Sequence, residues 1–317
     1  MIVRWGLDSL VAVLDQLSLE RPLLISTERW RELELPIERR FHGAKPHAEV
    51  SGVRAALAMV EAVDGLVALG GGSALDTTKA VSSESGLPIV SIPTTYSGAE
   101  WTTSFGIRDS ERRTKAGGGG AHTDAIVYEP RLTLHLPPGE TGGTALNALA
   151  HCAEALYTSG HAAETDEQAL EGARLISAWL PVVLERGSDL EARRGLLTGA
   201  MHAGAALRAG MGVGHAMAQA LGGHYGLAHG AMNAVCLPPA LRFNRQVAAG
   251  EIERLGAAMG AGGAIERVSE LAALACPPRL RDYGVPREDL GAVAEAAAAR
   301  APAKSNPRPA PAKEIRV

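Results

Sequence analysis

The pattern of apolar residues changes kind at Leu136-Pro137-Pro138-Gly139, and that change limits the architectures open to the chain. Before it, short apolar runs bounded by Pro, Gly and turn formers alternate with helical spacings. Arg21–Thr27, Gly65–Leu69, Leu87–Ile92 and Asp124–Tyr128 read as strands, with a shorter one at Glu38–Phe41. Val50–Val63 and Ser73–Ser83 read as helices, and Met1–Leu17 as a strand or loop followed by a short helix. Residues 104–116 read as a hairpin turning at Asp109–Glu111. Such alternation implies a mostly parallel sheet with helices on both faces. After the break only helical patterns remain, at about 140–158, 163–186, 189–208, 211–221, 230–242, 248–259 and 263–274. Two domains are expected: an α/β domain over 1–138 and an all-helical one over 139–317, with a ligand in the cleft between them. The Pro-rich stretch Ala301–Pro311 reads as an extended surface segment.

Composition excludes several function classes. A net charge of −4 leaves no electrostatic case for nucleic acid or an anionic membrane. No apolar run approaches the length of a membrane span. The three cysteines, Cys152, Cys236 and Cys276, are widely spaced and form neither a zinc pattern nor a disulfide framework. A reducing, cytoplasmic setting is the expectation.

Two loops and two helices carry residues suited to chemistry. Gly70–Lys79, GGGSALDTTK, follows a strand and opens a helix. Glycine there lets a backbone approach phosphate, and the helix start offers free N–H groups. The same stretch also suits an ordinary tight turn, with Ser73 and Asp76 spaced as a capping box. Pro93–Ala99, PTTYSGA, ends the next strand and sets Thr94, Thr95 and Ser97 where ligands bind in open α/β sheets. Lys115, in a basic turn, is a further candidate for a phosphate or a ribose. In the helical half, Asn147 and His151 are four apart, as are His215 and Gln219, so each pair shares a helix face. Gly222-Gly223 is expected to end the second of these helices, with His229 on the following loop and His224 as a secondary candidate. Three imidazoles and a carboxylate would suit a divalent metal, but Asn147 stands where the carboxylate would be useful.

Taken in order, GGGSALDTTK, PTTYSGAEWT, ALNALAHCAEALY and GHAMAQALGGHYGLAHG resemble the iron-containing alcohol dehydrogenase superfamily, whose fold is similar to that of dehydroquinate synthase. Within it ALNALAH, GGHYGLAHG and the NPRP at Asn306–Pro309 look most like maleylacetate reductases. The resemblance spans nearly the whole chain. It implies NADH or NADPH bound across Gly71, Gly72, Ser73, Thr94, Thr95 and Ser97, with Asp76 and Lys115 as further cofactor-site candidates. It places the family's metal positions on Asn147, His151, His215 and His229. The Asn at 147 resembles maleylacetate reductases thought to work without iron or zinc. Gln219 departs from the histidine usual at that place. Ser26-Thr27, ending the first strand, lacks an acid for a ribose 2′-hydroxyl, which leaves NADPH open. A homodimer is implied by the resemblance alone.

The leading reading is a hydride transfer to a short unsaturated oxo-dicarboxylate, with His229, His215 and His151 orienting and protonating it. Lys115, Arg208 or a protonated histidine would meet its anionic ends. The alternatives are a metal-dependent alcohol dehydrogenase, with the three histidines as ligands, and a nucleotide-binding homologue impaired in catalysis.

Overall fold

A computed structural model describes residues 1–109 and 114–315, the side chains of 114–116 excepted. The chain divides into two compact units. One comprises Met1–Thr95 and Ala99–Thr133; the other comprises Tyr96–Gly98 and Leu134–Val317.

The first unit is a doubly covered parallel sheet. Its elements run β1 (Ile2–Trp5), α1 (Leu10–Gln16), β2 (Pro22–Ser26), β3 (Arg39–Phe41), α2 (Val50–Leu57), β4 (Gly65–Gly70), α3 (Gly72–Ser85), β5 (Ile89–Pro93), β6 (Phe105–Asp109), β7 (Thr114–Gly118) and β8 (Thr123–Tyr128). The sheet order is β1-β8-β5-β4-β2-β3, every pair parallel. The inner strands β2, β4 and β5 are largely apolar on both sides because both faces are covered. Leu24, Val67, Leu69, Val90 and Val127 meet Leu10 and Val13 of α1. Leu23, Ile25 and Leu66 meet Val53 of α2 and Ala74, Ala80 and Val81 of α3. β6 and β7 form the expected antiparallel hairpin; its tip, with most of the Asp109–Glu111 turn, lies outside the described residues.

One helix is shorter than its apolar spacing suggests. α2 stops at Leu57, not Val63, and Ala62 takes a positive φ of 59° on the way into β4. Met59, Val60 and Val63 still pack on the core, so the spacing reported burial by a turn as well as by a helix.

In the second unit, α4 (Pro138–Ala155) packs against α5 (Ala163–Glu185), α6 (Leu190–Ala206), α8 (His229–Asn244) and α10 (Ala264–Ala275). Every residue of α4 from Ala145 to Ala155 is buried. A helix hydrophobic all round belongs in a core, so the polar residues it carries need partners there. α7 (Val213–Tyr225) packs on α8, α9 (Ala249–Ala258) packs on α5 and α10, and α11 (Leu290–Ala298) and α12 (Ala301–Lys304) pack on α7. No helix among the described residues is long and apolar enough to cross a membrane.

Two expectations here are corrected. Gly222-Gly223 does not end α7, which runs on to Tyr225 and stops at Gly226, where φ is 69°. Glycine inside a helix costs only about 1 kcal/mol; what terminates this helix is the left-handed glycine. The Ala301–Pro311 stretch is not simply extended surface. It begins as α12, and Asn306 is buried, its Oδ1 accepting from Val213 N (3.2 Å) and Asn244 Nδ2 (2.9 Å).

Candidate active site

In the first unit, the ends of β4 and β5 lie side by side, Gly70 opposite Pro93, and Thr94 N donates to Gly70 O (3.0 Å). This brings the glycine turn and the threonine loop together. Gly71 is the N-cap of α3 and has no side chain to cap the helix, so its first N–H groups are left for a ligand. A Cβ at Gly71 would press on Thr95 Cγ2 at 2.8 Å, whereas a Cβ at Gly72 would meet nothing within 4 Å. An uncapped fourteen-residue helix beside open space at Gly72 fits a pyrophosphate.

Ser73 and Asp76 do not form the expected capping box. Ser73 Oγ accepts from His47 N (3.0 Å), and Asp76 Oδ2 accepts from Gly106 N (3.2 Å) and so ties α3 to β6. Lys115 lies on β7, with its side chain outside the described residues. At the end of β2, Ser26 Oγ pairs with His42 Nδ1 (2.7 Å). The nearby Glu28 carboxylate is held by Arg31 at 2.5 and 2.8 Å. Lys79, buried on α3, donates to Ala99 O, Thr102 Oγ1 and Ser104 O and fixes the loop after β5.

In the second unit, three histidines come together. The rings of His151 and His215 stack, with centroids 4.7 Å apart and planes 14° apart; the rings of His215 and His229 are 5.9 Å apart. His215 is fully buried and His151 nearly so. His229 is exposed, and it is the first residue of α8 instead of a loop residue. Burial, and then the neighbouring charges of His215 and His229, push His151 well below the ordinary histidine range. His151 is therefore neutral at neutral pH. Its Nδ1 and His215 Nε2 are buried without a hydrogen-bond partner among the described residues, a costly state that a bound ligand would relieve. Gly98, at φ 74°, brings its backbone close to this ring: an added Cβ would lie 3.6 Å from His151 Nδ1.

The residue that organises the cluster was not singled out from the sequence. Glu154, on α4, is wholly buried. Its Oε2 accepts from Gly212 N (2.7 Å) and His215 Nδ1 (2.6 Å), and its Oε1 from Gly214 N (2.8 Å) and His215 N (3.3 Å). One carboxylate thus caps α7 and fixes His215. Because an ionised carboxylate only accepts, Nδ1 must carry the proton. Nε2 is left facing the cluster, and the carboxylate is the counterion an imidazolium there would need. Asn147, Glu154 and His151 form one stripe, at i, i+7 and i+4 of α4; that spacing was the signal available.

Asn147 does not point a free oxygen at the histidines. Its Nδ2 donates to Ser97 O (2.8 Å), and its Oδ1 accepts from Asn233 Nδ2 (2.7 Å), which also lies 3.1 Å from His229 Nε2. The position that would supply a metal's carboxylate is an amide with both ends engaged. Among the described residues no group of three or more His, Cys, Asp and Glu is arranged to hold a metal ion. An amide in place of the carboxylate leaves such a donor set one negative charge short for a divalent cation.

The other candidates are placed as follows. Gln219 is half-buried one turn along α7 from His215. His224 is exposed, edge-on to Tyr225 at 4.6 Å between centroids. Arg208 pairs on the surface with Glu164 (2.6 Å) and is not a free cation for a substrate. Cys152 is buried core, its thiol pushed up by burial.

The chain is similar to known proteins. A model of the iron-containing alcohol dehydrogenases matches residues 4–129, and one of the C-terminal part of the Fe-containing alcohol dehydrogenase family matches residues 141–317. A maleylacetate reductase of Burkholderia cepacia is 38% identical over 256 residues, covering 80% of this chain and 72% of its own. The solved maleylacetate reductase of Rhizobium sp. strain MTP-10005 is 32% identical with a TM-score of 0.90, covering 99% of this chain and 93% of that one. An iron-containing alcohol dehydrogenase structure from Corynebacterium glutamicum is 29% identical with a TM-score of 0.90, over 99% and 92% of the two chains. The chain belongs to the iron-containing alcohol dehydrogenase family of NAD(P)-dependent oxidoreductases, and within it is most like the maleylacetate reductases.

Proposed function

We propose that this chain reduces maleylacetate, or an unsaturated oxo-dicarboxylate of the same kind, with NADH or NADPH and without a metal. The observation that carries the metal-free reading is Asn147. Where a cation would need an anionic ligand, this chain has an amide whose oxygen and nitrogen are already bonded to Asn233 and Ser97.

The first unit holds the dinucleotide, with its pyrophosphate at the start of α3 against Gly71, Gly72 and Ser73, and with Thr94 and Thr95 beside it. Bound there, the cofactor supplies a hydride from its nicotinamide. Either nucleotide is compatible with the end of β2, where Ser26 pairs with His42 and Glu28 is held by Arg31.

The second unit holds the substrate and manages its protons. When the double bond conjugated to the ketone gains a hydride, the displaced electron pair moves to the ketone oxygen as an enolate. The enolate then takes a proton at the adjacent carbon, and a saturated oxo-dicarboxylate leaves. His215 and His229 stabilise the oxygen and deliver the proton. His229 is exposed and can be reprotonated from water; His215 is held by Glu154. Neutral His151 orients the substrate from the stacked face. Gln219 cannot replace an imidazolium as an acid, so it serves as a hydrogen-bonding side chain. The active form is taken as a cytoplasmic homodimer, on family resemblance.

The test is oxidation of NADH and NADPH with maleylacetate by EDTA-treated protein, with and without added Fe²⁺ or Zn²⁺. Turnover without metal is expected. Turnover only with metal, or only with simple aldehydes, would transfer the chain to the alcohol dehydrogenase reading.

A further inference from the structure

A doubly anionic substrate needs a cation; several arginines of the second unit are already engaged, and Arg242 and Arg245, at the end of α8, are exposed. Arg208 is paired with Glu164. Arg193, buried on α6, donates to Gly187 O, Tyr96 OH and Thr141 Oγ1. Arg267 and Arg308 are bonded to Ser177, Glu270, Phe243 O and Glu314.

Arg300 differs. It stands at the N-cap of α12, half-buried, and its guanidinium makes no hydrogen bond or ion pair among the described residues. Its Nε is buried without a partner. Burial alone draws the guanidinium below its ordinary range, with no anion opposing the shift. A half-buried arginine in this state is poised for an anion that the chain does not itself supply.

Its neighbour locates that anion. A Cβ at Gly223 of α7 would lie 3.3 Å from Arg300 Nη2, so glycine at 223 makes room for the guanidinium against the helix. His215, Gln219, Gly222 and Gly223 lie along one side of α7, and this side passes from fully buried at His215 through half-buried Gln219 and Gly222 to exposed Gly223. Eight residues of helix put Gly223 about 12 Å from His215 along the axis, a span that two long side chains and a short dianion can bridge. On the opposite side of α7 a separate 360 Å³ cavity is lined by Met217, Leu290, Val293, Ala294 and Lys313, with no histidine to act on a substrate there.

We propose that Arg300 binds the carboxylate of the substrate arm remote from the reducible double bond, and so makes the enzyme selective for a dicarboxylate over a monocarboxylate. The proposal rests on the reductase reading for the identity of the substrate, but not for the presence of an anion site. Arg300→Ala gives up no internal hydrogen bond, so the variant is expected to fold.

The experiment compares wild type, Arg300→Ala and Arg300→Lys on maleylacetate and on cis-acetylacrylate, in which methyl replaces the acetate arm. In parallel, calorimetry measures the binding of the inert probes adipate and pentanoate. Expected for Arg300→Ala is a rise in KM for maleylacetate on the order of ten- to a hundredfold, the worth of a charge-assisted hydrogen bond. KM for acetylacrylate and for NADH stays unchanged, the preference for adipate over pentanoate disappears, and Arg300→Lys restores part of each effect. Equal losses on both substrates, no loss on either, or an undiminished adipate preference would overturn the assignment. If wild type does not reduce maleylacetate while its adipate preference still requires Arg300, the reductase reading fails and the carboxylate site stands.

Discussion

Replacing Glu154 by Gln tests whether one buried carboxylate sets both the start of α7 and the state of His215. The change keeps size and shape and removes the charge. Placed at Oε2, the new amide nitrogen would face two donors, Gly212 N at 2.7 Å and His215 Nδ1 at 2.6 Å. The imidazole can escape by moving its proton to Nε2 and accepting at Nδ1; Gly212 N–H cannot. Leaving that buried donor unpaired costs about 1–3 kcal/mol. Losing a negative charge at a helix N-terminus costs about 0.5–2 kcal/mol more. The reverse amide orientation fares no better, since it faces Gly214 N and His215 N instead. A destabilisation of about 2–4 kcal/mol is expected, survivable for a domain of ordinary stability, about 5–15 kcal/mol. Urea unfolding measures it, and nitrogen-15 NMR reads the tautomer, which should pass from Nδ1–H to Nε2–H. Turnover should fall on the order of ten- to a hundredfold, as for other groups that orient a functional histidine, with KM for NADH unchanged. An unchanged urea midpoint together with a retained Nδ1–H would show that Glu154 does neither job.

Other perturbations separate the two units. Gly72→Val should abolish dinucleotide binding while thermal stability holds, because nothing beyond its chain neighbours and its own helix lies within 4 Å of the new Cβ; unchanged NADH affinity by fluorescence titration would remove the glycine turn from the cofactor site. His229→Ala should remove most turnover and leave NADH affinity intact, and near-normal rates would take the proton role away from the exposed imidazole. Asn147→Asp sets a carboxylate against Ser97 O in place of a donated hydrogen bond and should cost about 1–3 kcal/mol. If the three histidines can complete a metal site, added Zn²⁺ should restore the lost stability in this variant only; metal analysis and calorimetry decide. Glu100 is buried and, chiefly through that burial, held above the usual carboxylate range. A raised folded value means that the stability it confers is present at low pH and lost as pH rises through that value. Glu100→Gln should therefore gain on wild type in Tm at pH 8 relative to pH 5, and a pH-independent difference would refute this.

What was legible in the sequence followed from local periodicity and turn chemistry. The strands at Gly65–Leu69 and Leu87–Ile92 are largely apolar because both faces of the sheet are covered, and the loops after them stand out by their glycines and hydroxyls. The pairs Asn147/His151 and His215/Gln219 were visible because a helix sets i and i+4 on one side. What was missed depended on contacts distant in sequence. Asn306 looks like part of a proline-rich tail, yet its amide meets Val213 and Asn244. Arg300 is unremarkable in its alanine-rich surroundings until its missing partner is known. Glu154 lay nearer to reach. In ALNALAHCAEALY the residues around it are Ala, Leu and Cys on every side of the helix, so the helix had to be buried all round. A carboxylate on such a helix cannot remain unpaired, and its place in line with Asn147 and His151 puts its partner at the same site. Only a cluster of donors could satisfy it, and the uncapped start of a glycine-rich helix, Gly212-Val213-Gly214 followed by His215, supplies one.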